Sequence, residues 1–249
     1  MKLLMIFFSL TSMMWAMAVD IKGEASTLEK KSLVVIQKIE GKAKVLSKKS
    51  IKKHKAVQGE TLYEGDILIT YNETKVMVKL QDCSYLILNA GSELSFISAS
   101  KLKQVSGEVY YKIKTRQASQ GLKIETPFSI MGIKGTEFIV DTKGRGQIAL
   151  NEGLVGIASL HADFELHKQN VMAEYEKFKE EQKSGFEGYK AEAEGKVISY
   201  TKAFDLNAGK VLNFSQAQHC EEDCESRVDE RDISDELSRR FEMYADMID

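Results

Sequence analysis

The segment HCEEDC, residues 219–224, is the one local cluster in the chain whose side chains have metal-ligand chemistry. His219, Cys220 and Cys224 offer imidazole and thiolate ligands, and a neighbouring carboxylate offers a fourth. In an oxidising compartment the same two cysteines favour a disulfide, and free thiols are a further alternative. Of these alternatives a Cys220–Cys224 disulfide is favoured, free thiols stay open, and no metal is expected.

The remaining residues with catalytic potential are scattered. His54, His161 and His167 stand in no H-E-x-x-H pattern, and the chain has no G-x-S-x-G motif, no phosphate-binding glycine loop and no Cys–His protease signature. We therefore predict a protein that is not an enzyme and needs no cofactor. A metal-dependent enzyme built on residues 219–224 is the least favoured of three functional hypotheses.

The sequence KKSIKKHK, residues 48–55, concentrates positive charge in a short polar segment that we call the basic loop. Its lysines are candidates for non-specific electrostatic binding of anionic polymers such as lipopolysaccharide or phospholipid headgroups. The alternative is a loop that only faces water. Because no aromatic residues are interleaved, nucleic acid is not expected as a partner. The candidate residues are Lys48, Lys49, Lys52, Lys53 and Lys55.

The first 18 residues are typical of an export signal. Lys2 precedes an apolar stretch, and Ala16-Met17-Ala18 is a small-x-small cleavage pattern, which predicts a mature chain beginning at Val19. The apolar stretch is shorter than the roughly 20 residues of a spanning helix, although an uncleaved anchor is the alternative. We expect a periplasmic protein whose residues 19–32 form a polar lead-in.

Short strands separated by glycine, asparagine and aspartate fill most of residues 33–216. Val76, Val78 and Leu80 recur at every second position, the period of a half-buried strand. Turn residues at 40–41 and 151–153 predict two hairpins. The pattern indicates a mainly β fold, an all-β sandwich or a barrel-like stack of short strands. Cys83 is expected to be a small buried residue within one of these strands.

Two segments have a helical period instead. Residues 168–200 are rich in Glu, Lys and Ala and predict a charged helical insertion, either solvated or, as the sharper alternative, a dimerising arm. Residues 217–249 form an acidic tail that ends in an amphipathic helix, capped at Asp232 or Ser234. The apolar face of this helix is expected to pack on the sheet, with the tail's acids toward the lysine-rich front of the chain. The residues of that face are Ile233, Leu237, Phe241, Tyr244 and Ile248.

The sequence IETPFSIMGIKGTEFIV, residues 124–140, contains the only proline of the chain and two glycines three residues apart. Pro127 holds Thr126 in an extended conformation, which marks a strand end. Gly132 and Gly135 permit a positive φ or a bulge. We therefore predict a strand, a kinked crossing, and a new strand that starts at Gly135-Thr136.

The motifs resemble the FecR domain, a periplasmic domain named after the ferric-citrate regulator. The similarity spans Val35 to Ser159 and resumes at residues 204–214, with its pieces in family order. Cys83 stands where the family usually has glycine. The motif residues, to which we assign a structural role, are Gly65, Asp66, Asp82, Ser84, Gly107, Thr126, Pro127, Gly135, Thr136 and Phe138.

This resemblance implies a FecR-like β domain over residues 33–216 and a binding or scaffold role without chemistry. The classical regulator carries a sigma-factor-binding segment and a membrane helix before the domain, whereas here the predicted export signal precedes it. The leading hypothesis is a protein-binding or signalling module that contacts another envelope protein. The alternative is an envelope structural protein that binds anionic glycan or lipid, such as peptidoglycan or lipopolysaccharide, through the basic loop.

Overall fold

The structure, a computed structural model, describes residues 32–115, 121–144, 146–160, 162–168, 197–215 and 226–248. These residues form twenty strands and one C-terminal helix, α1 (Asp235–Ile248). The strands are β1 (Ser32–Glu40), β2 (Ala43–Leu46), β3 (His54–Lys55), β4 (Thr61–Tyr63), β5 (Ile67–Thr70), β6 (Lys75–Leu80), β7 (Tyr85–Leu88), β8 (Glu93–Ser98), β9 (Lys101–Ser106), β10 (Glu108–Ile113), β11 (Leu122–Glu125), β12 (Ile130–Ile133), β13 (Thr136–Asp141), β14 (Gln147–Glu152), β15 (Leu154–Ala158), β16 (Phe164–Lys168), β17 (Val197–Thr201), β18 (Ala203–Asn207), β19 (Lys210–Ser215) and β20 (Ser226–Asp232).

The strands belong to two open sheets. Sheet A has eleven strands in the order β17-β16-β20-β19-β14-β13-β10-β7-β6-β1-β4. Sheet B has nine, in the order β18-β15-β12-β11-β9-β8-β5-β2-β3. Neighbouring strands are antiparallel except for β9 with β11 and β16 with β20, which are parallel. The predicted mainly β fold is confirmed.

One apolar core joins the two sheets. It contains inward-facing residues of sheet A, such as Val109 and Phe138, together with residues of sheet B, such as Phe96 and Ile124. Within the described residues neither sheet closes on itself. Of the two forms that the sequence favours, the structure is therefore the sandwich and not the barrel.

The chain changes sheets after most of its strands, and many of these crossings contain a glycine with positive φ. The predicted hairpins at residues 40–41 and 151–153 are both wrong for this reason. Gly41 leads from β1 in sheet A to β2 in sheet B. Gly153 likewise leads from β14 in sheet A to β15 in sheet B. A glycine after a strand permits a tight change of direction, but it does not determine whether the next strand pairs with the last.

The segment around Pro127 ends a strand and crosses at Gly135 as predicted, but an additional strand, β12, lies between these two points and pairs with β11. Strand β11 ends just before Thr126, and the chain crosses from β12 to β13 at Gly135, where φ is +76°. Gly132 is instead an ordinary residue of β12, paired with Lys123 on one side and Gly156 on the other.

Cys83 does not lie in the core as expected. It is half-buried, in the turn between β6 and β7, with φ at +62°. Its amide donates to the carbonyl of Leu80, and the Leu80 amide donates to the carbonyl of Ser84. The left-handed conformation of this turn favours glycine, which accounts for the glycine that the FecR resemblance places here.

The C-terminal helix is confirmed. Leu237, Phe241 and Tyr244 are its buried residues. The Leu237 amide donates to Ser234 Oγ at 3.4 Å, so Ser234 caps the helix, whereas Asp232 pairs with Lys210. The acids of the first turn, Asp235 and Glu236, lie at the favourable end of the helix dipole.

Most of the predicted insertion, residues 169–196, lies outside the described residues, as does the predicted disulfide. Lys168 ends β16, and residues 197–200 belong to β17. No helix in the described part of the chain is long and apolar enough to cross a membrane.

A side chain at a crossing can destabilise the fold in two ways, through backbone strain at a positive φ and through a clash of its Cβ with neighbouring atoms. Alanine substitution of three glycines should separate these two effects. At Gly209, φ is +79° and a Cβ would have open space, so Gly209→Ala should lower the free energy of unfolding by about 1–2 kcal/mol. At Gly135 a Cβ would also lie 2.6 Å from Thr115 Oγ1 and 2.8 Å from Thr115 Cα, so Gly135→Ala should lower it further. Gly132→Ala is the control, since Gly132 has neither restraint.

Urea denaturation of the three variants measures these differences. Equal losses for Gly135→Ala and Gly209→Ala would contradict a tightly packed crossing at Gly135.

Candidate functional site

The outer face of sheet A is apolar at its centre, and α1 covers it. The covered sheet residues come from five neighbouring strands, and Leu237, Phe241 and Tyr244 of the helix complete the cluster. The sheet residues are Ile87, Tyr110, Ile139, Ala149 and Val211. Since the inner face of these strands packs in the main core, the central strands are buried on both sides. Each large helix side chain fully covered in this way contributes about 1.5–3 kcal/mol.

Tyr110 lies at the centre of the helix contact. Its ring packs edge-on to Phe241, with centroids 6.2 Å apart, and lies tilted against Tyr244 at 4.9 Å. Its hydroxyl donates to Glu137 Oε1 at 2.9 Å. The helix is therefore held by an aromatic cluster whose polar tips reach hydrogen-bond partners.

A polar network, which we call the latch, borders this aromatic cluster. The Tyr244 hydroxyl donates to Glu108 Oε1 at 2.7 Å, and Asn89 Nδ2 donates to the same oxygen at 2.5 Å. Arg240 donates to Glu108 Oε2, and Asn89 also donates to the Tyr244 hydroxyl. One carboxylate of sheet A thus binds two side chains of the helix.

The latch shifts the pKa values of its members. Burial disfavours the ionised form of Glu108, but the hydrogen bonds from Arg240 and Tyr244 outweigh it and hold the pKa of this carboxyl below its ordinary value. Burial, reinforced by Glu108, raises the pKa of Tyr244 to about 12. Burial also raises the pKa of Asp141, which lies opposite Glu108 across β10 and β13.

An open cleft of about 410 Å³ lies beside the latch. Its charged lining comes from the end of β1 (Glu40), from the β5–β6 turn and start of β6 (Glu73 and Lys75), and from Glu108 and Arg240. The Lys75 ammonium lies 5.9 Å from the centroid of the Tyr244 ring, a cation–π contact. The cleft therefore brings residues of the sheet and of the helix onto one accessible surface.

The expected orientation of the tail charges is not what the structure has. The helix acids Asp235, Glu236, Glu242 and Asp246 are exposed, and the helix directs Arg240 to an acid of the sheet. Apolar burial fixes which side of the helix faces inward, so its acids remain on the outside. Earlier in the tail, Glu230 pairs with Lys168 and Asp232 pairs with Lys210.

Most of the family-motif residues organise turns, and only Gly107, which directly precedes Glu108, adjoins the latch in sequence. The buried Asp66 carboxylate accepts the amides of Tyr63 at 3.0 Å and Lys48 at 3.2 Å, next to Gly65 with φ at +86°. Asp82 accepts the amide of Ser84 at 3.0 Å. These motifs therefore fix the entry to β5 and the turn after β6.

Thr126 and Ser84 fill similar roles elsewhere. Thr126 Oγ1 accepts the amide of Ser129 at 3.0 Å, which closes the turn that carries the exposed Pro127. Ser84 Oγ accepts the amide of Lys114 at 3.0 Å and so ties the β6–β7 turn to the end of β10.

The last motif residues lie in the core between the sheets. Phe138 stacks on Tyr111 at 4.7 Å, and the Tyr111 hydroxyl donates to Gln104 Oε1 at 2.8 Å. Gln104 Nε2 donates to the carbonyls of Gly107 and Val140 and so joins sheet B to sheet A. Thr136 is buried at the start of β13, just after the Gly135 crossing.

The structure gathers no metal site from the histidines. In the described ranges no group of three or more His, Cys, Asp or Glu side chains is placed to hold a metal ion. His54 contacts Glu60 Oε1 at 2.6 Å, and His167 contacts Glu165 Oε1 at 2.6 Å. Cys220 and Cys224 lie outside the described residues, as do His161 and His219.

The basic loop joins β2 to β3 at one edge of sheet B. Its five lysines, Lys48, Lys49, Lys52, Lys53 and Lys55, are all exposed. They are therefore available to a partner.

Sequence reasoning did not identify Asn89, Glu108 or Arg240. Glu108 is one of many acids, and its role depends on a residue 132 positions away. One signal was present: Tyr110 and Tyr111 are consecutive bulky residues in a strand, so both faces of that strand must be covered.

Comparison with known families supports the motif assignment. Residues 66–156 match the family described as FecR protein. This confirms, over those residues, the resemblance found in the sequence. No curated protein matches the chain.

Two solved structures resemble the chain weakly. Both are crystal structures of a protein named as an anti-sigma factor from Parabacteroides distasonis ATCC 8503. They share 10% identity with this chain, with TM-scores of 0.43 and 0.44. The alignments cover 69% and 70% of this chain but only 61% and 62% of theirs, less than two thirds of their length.

Removing the arginine of the latch should weaken helix docking. Arg240→Ala leaves a largely buried carboxylate with fewer donors, which should lower the free energy of unfolding by about 1–3 kcal/mol. Arg239→Ala is the matched control, because Arg239 is exposed on the same helix, and its effect should stay within about 0.5 kcal/mol. Chemical denaturation followed by circular dichroism measures both, and equal losses would argue against the latch.

The latch should also lose strength in acid and in strong base. The pKa of Glu108 lies below its ordinary 4.5 when folded, so the Glu108 contribution is complete above pH 4.5 and is lost as the pH falls through the folded value. The pKa of Tyr244 rises from 10.0 to about 12, so the Tyr244 contribution is complete below pH 10 and is lost as the pH rises toward 12.

The free energy of unfolding of the wild type and of Glu108→Gln, measured as a function of pH, tests the loss of the Glu108 contribution in acid. The difference in this free energy between the two proteins should be constant near neutrality and should shrink below pH 4.5. Glu242→Gln, at an exposed acid of the same helix, is the control. A difference that persists unchanged in acid would show that Glu108 acts by shape and not by charge.

Proposed function

We propose, from the premise that residues 66–156 form a FecR domain, that the protein is a non-enzymatic signalling module that binds another protein of the cell envelope. The family is a regulatory one, and this supports the signalling role. The export signal predicted at residues 1–18 supports a periplasmic location.

The observation that carries the proposal is the cleft beside the latch. A partner that enters it contacts the sheet through Glu40, Glu73 and Lys75 and contacts the helix through Arg240 and Tyr244. Binding there therefore depends on whether α1 is docked. A ligand with different affinity for the docked and undocked states shifts the balance between them, which is what a signalling module requires.

The chemistry of the cleft also supports binding over catalysis. A general acid or base works best with a pKa near the operating pH. The pKa of Glu108 is lowered instead, and both carboxylate oxygens already accept hydrogen bonds from the latch. Glu108 is thus suited to holding the helix.

A photo-crosslinking amino acid placed in the cleft tests the proposal in the native cell. At Glu73, an exposed residue of the cleft lining, or at the exposed Met243, whose sulfur lies 4.0 Å from the Lys75 ammonium, it should give one discrete adduct with an envelope protein. The same group at Lys123, exposed on sheet B, is the control and should give none. Arg240→Ala should weaken the adduct. Identical patterns at cleft and control positions, or no adduct at all, would contradict protein binding at this site.

The exposed lysines of the basic loop favour a second candidate function. In this alternative the protein is an envelope structural component that holds anionic glycan or lipid, such as peptidoglycan or lipopolysaccharide. Such binding should weaken with salt, because exposed charges are screened.

A further inference from the structure

The basic loop presents an aliphatic side chain at its tip. Ile51 is fully exposed, at 101% of its reference area, and is the most exposed large hydrophobic residue in the described part of the chain. Lys48 and Lys49 precede it and Lys52 and Lys53 follow it. Ile51 therefore extends into solvent from the middle of a cationic segment.

The loop holds a defined conformation. Ser50 Oγ accepts the amide of Lys52 at 3.1 Å and donates to its carbonyl at 2.9 Å, while the Ser50 amide donates to the carbonyl of Ser47 at 2.8 Å. At the base, the Lys48 amide donates to the buried Asp66 carboxylate. These bonds hold the tip, with Ile51, away from the surface of the protein.

The two strands that carry the loop are paired at its base. Val45 lies opposite His54, and Lys44 lies opposite Lys55. The lysine side chains and Ile51 consequently extend from one edge of sheet B. An arrangement of this kind presents charge and apolar surface together without folding of the segment on contact.

The positive charge of the loop is available to an external partner. Residues 47–55 contain five lysines and no acid. The nearby Glu60 contacts His54, and the described lysine ion pairs use other residues, among them Lys38, Lys101 and Lys103. The loop therefore has an anionic surface as its natural complement.

We propose that the basic loop is a membrane-contacting loop, in which Ile51 inserts into the interface of an anionic phospholipid bilayer while the lysines contact its phosphates. The lysine stems reach along apolar surface while their ammonium groups remain at the headgroups. A glycan would satisfy the lysines but offers Ile51 no apolar layer. This inference rests on the second candidate function and specifies its partner.

Vesicle sedimentation of the mature chain, residues 19–249, tests the proposal, because the apolar stretch of the predicted export signal would itself bind vesicles. The protein should bind vesicles of phosphatidylcholine containing phosphatidylglycerol and should not bind pure phosphatidylcholine. Lys52→Glu with Lys53→Glu should weaken binding at least about 25-fold, at about fivefold for each lysine lost. Ile51→Asp should weaken it about tenfold, since an inserted aliphatic side chain becomes a charge.

Matched controls come from exposed residues outside the basic loop. Leu154 is 49% exposed on β15, which lies toward the opposite end of the sheet from β3. Leu154→Asp should leave vesicle binding unchanged. Lys123→Glu with Lys134→Glu, at two exposed lysines, should weaken vesicle binding far less than Lys52→Glu with Lys53→Glu.

A fluorescence measurement reports insertion directly. The emission of Ile51→Trp should shift to the blue with anionic vesicles and be quenched by brominated lipid, whereas Leu154→Trp should do neither. Binding that needs the lysines but not Ile51, or equal binding to soluble heparin without a blue shift, would overturn insertion and leave an anionic-polymer site. Binding that needs neither would overturn the second candidate function as well.

Discussion

The structure depends on the chain changing sheets within a few residues at many of its crossings. Strands that follow each other in sequence, such as β1 and β2, lie in opposite sheets, and β1 pairs instead with β4 and β6. Pairing between strands distant in sequence must therefore be set by the crossings and by the core between the sheets. This explains why most of the family-motif residues lie in turns. Gly65, Asp66, Thr126 and Gly135 each fix where a strand begins, and a shift of one residue would turn a whole strand inside out.

The same topology creates the need for the C-terminal helix. The central strands of sheet A have apolar residues on both faces, with Val109 and Tyr111 turned inward and Tyr110 turned outward. A sheet exposed on one side would leave Tyr110 and Ile139 in water. Helix α1 covers them, and the latch at Glu108 fixes its position at the edge of the covered area. The helix thus completes the fold and at the same time forms one wall of the cleft.

Local patterns in the sequence were enough for most of the strands, for the helix and for the family resemblance, but not for β20 in the predicted tail or for the pairing of the strands. Alternation identified β6, and spacing identified the apolar face of α1, because both depend on residues a few positions apart. The turns at residues 40–41 and 151–153 were misassigned because a glycine serves a hairpin and a sheet crossing equally well. Cys83 was predicted to lie in the core because it stands between apolar strand residues, and nothing in its own residue type indicates a left-handed turn. The latch was inaccessible to sequence reasoning, since a partly buried ion pair between distant residues leaves no local pattern.

The latch and the basic loop differ in where their charges find partners. At the latch, one carboxylate meets an arginine and two further donors within the protein, so its charge is used to hold the helix. In the basic loop, five lysines surround an exposed isoleucine. Beside it, Glu60 contacts a histidine and Asp66 accepts a backbone amide. Folding alone gives no reason to hold an aliphatic side chain in water by an ordered turn, because the same turn forms with a polar residue at its tip. The combination is accounted for when the loop meets a surface that is anionic outside and apolar beneath.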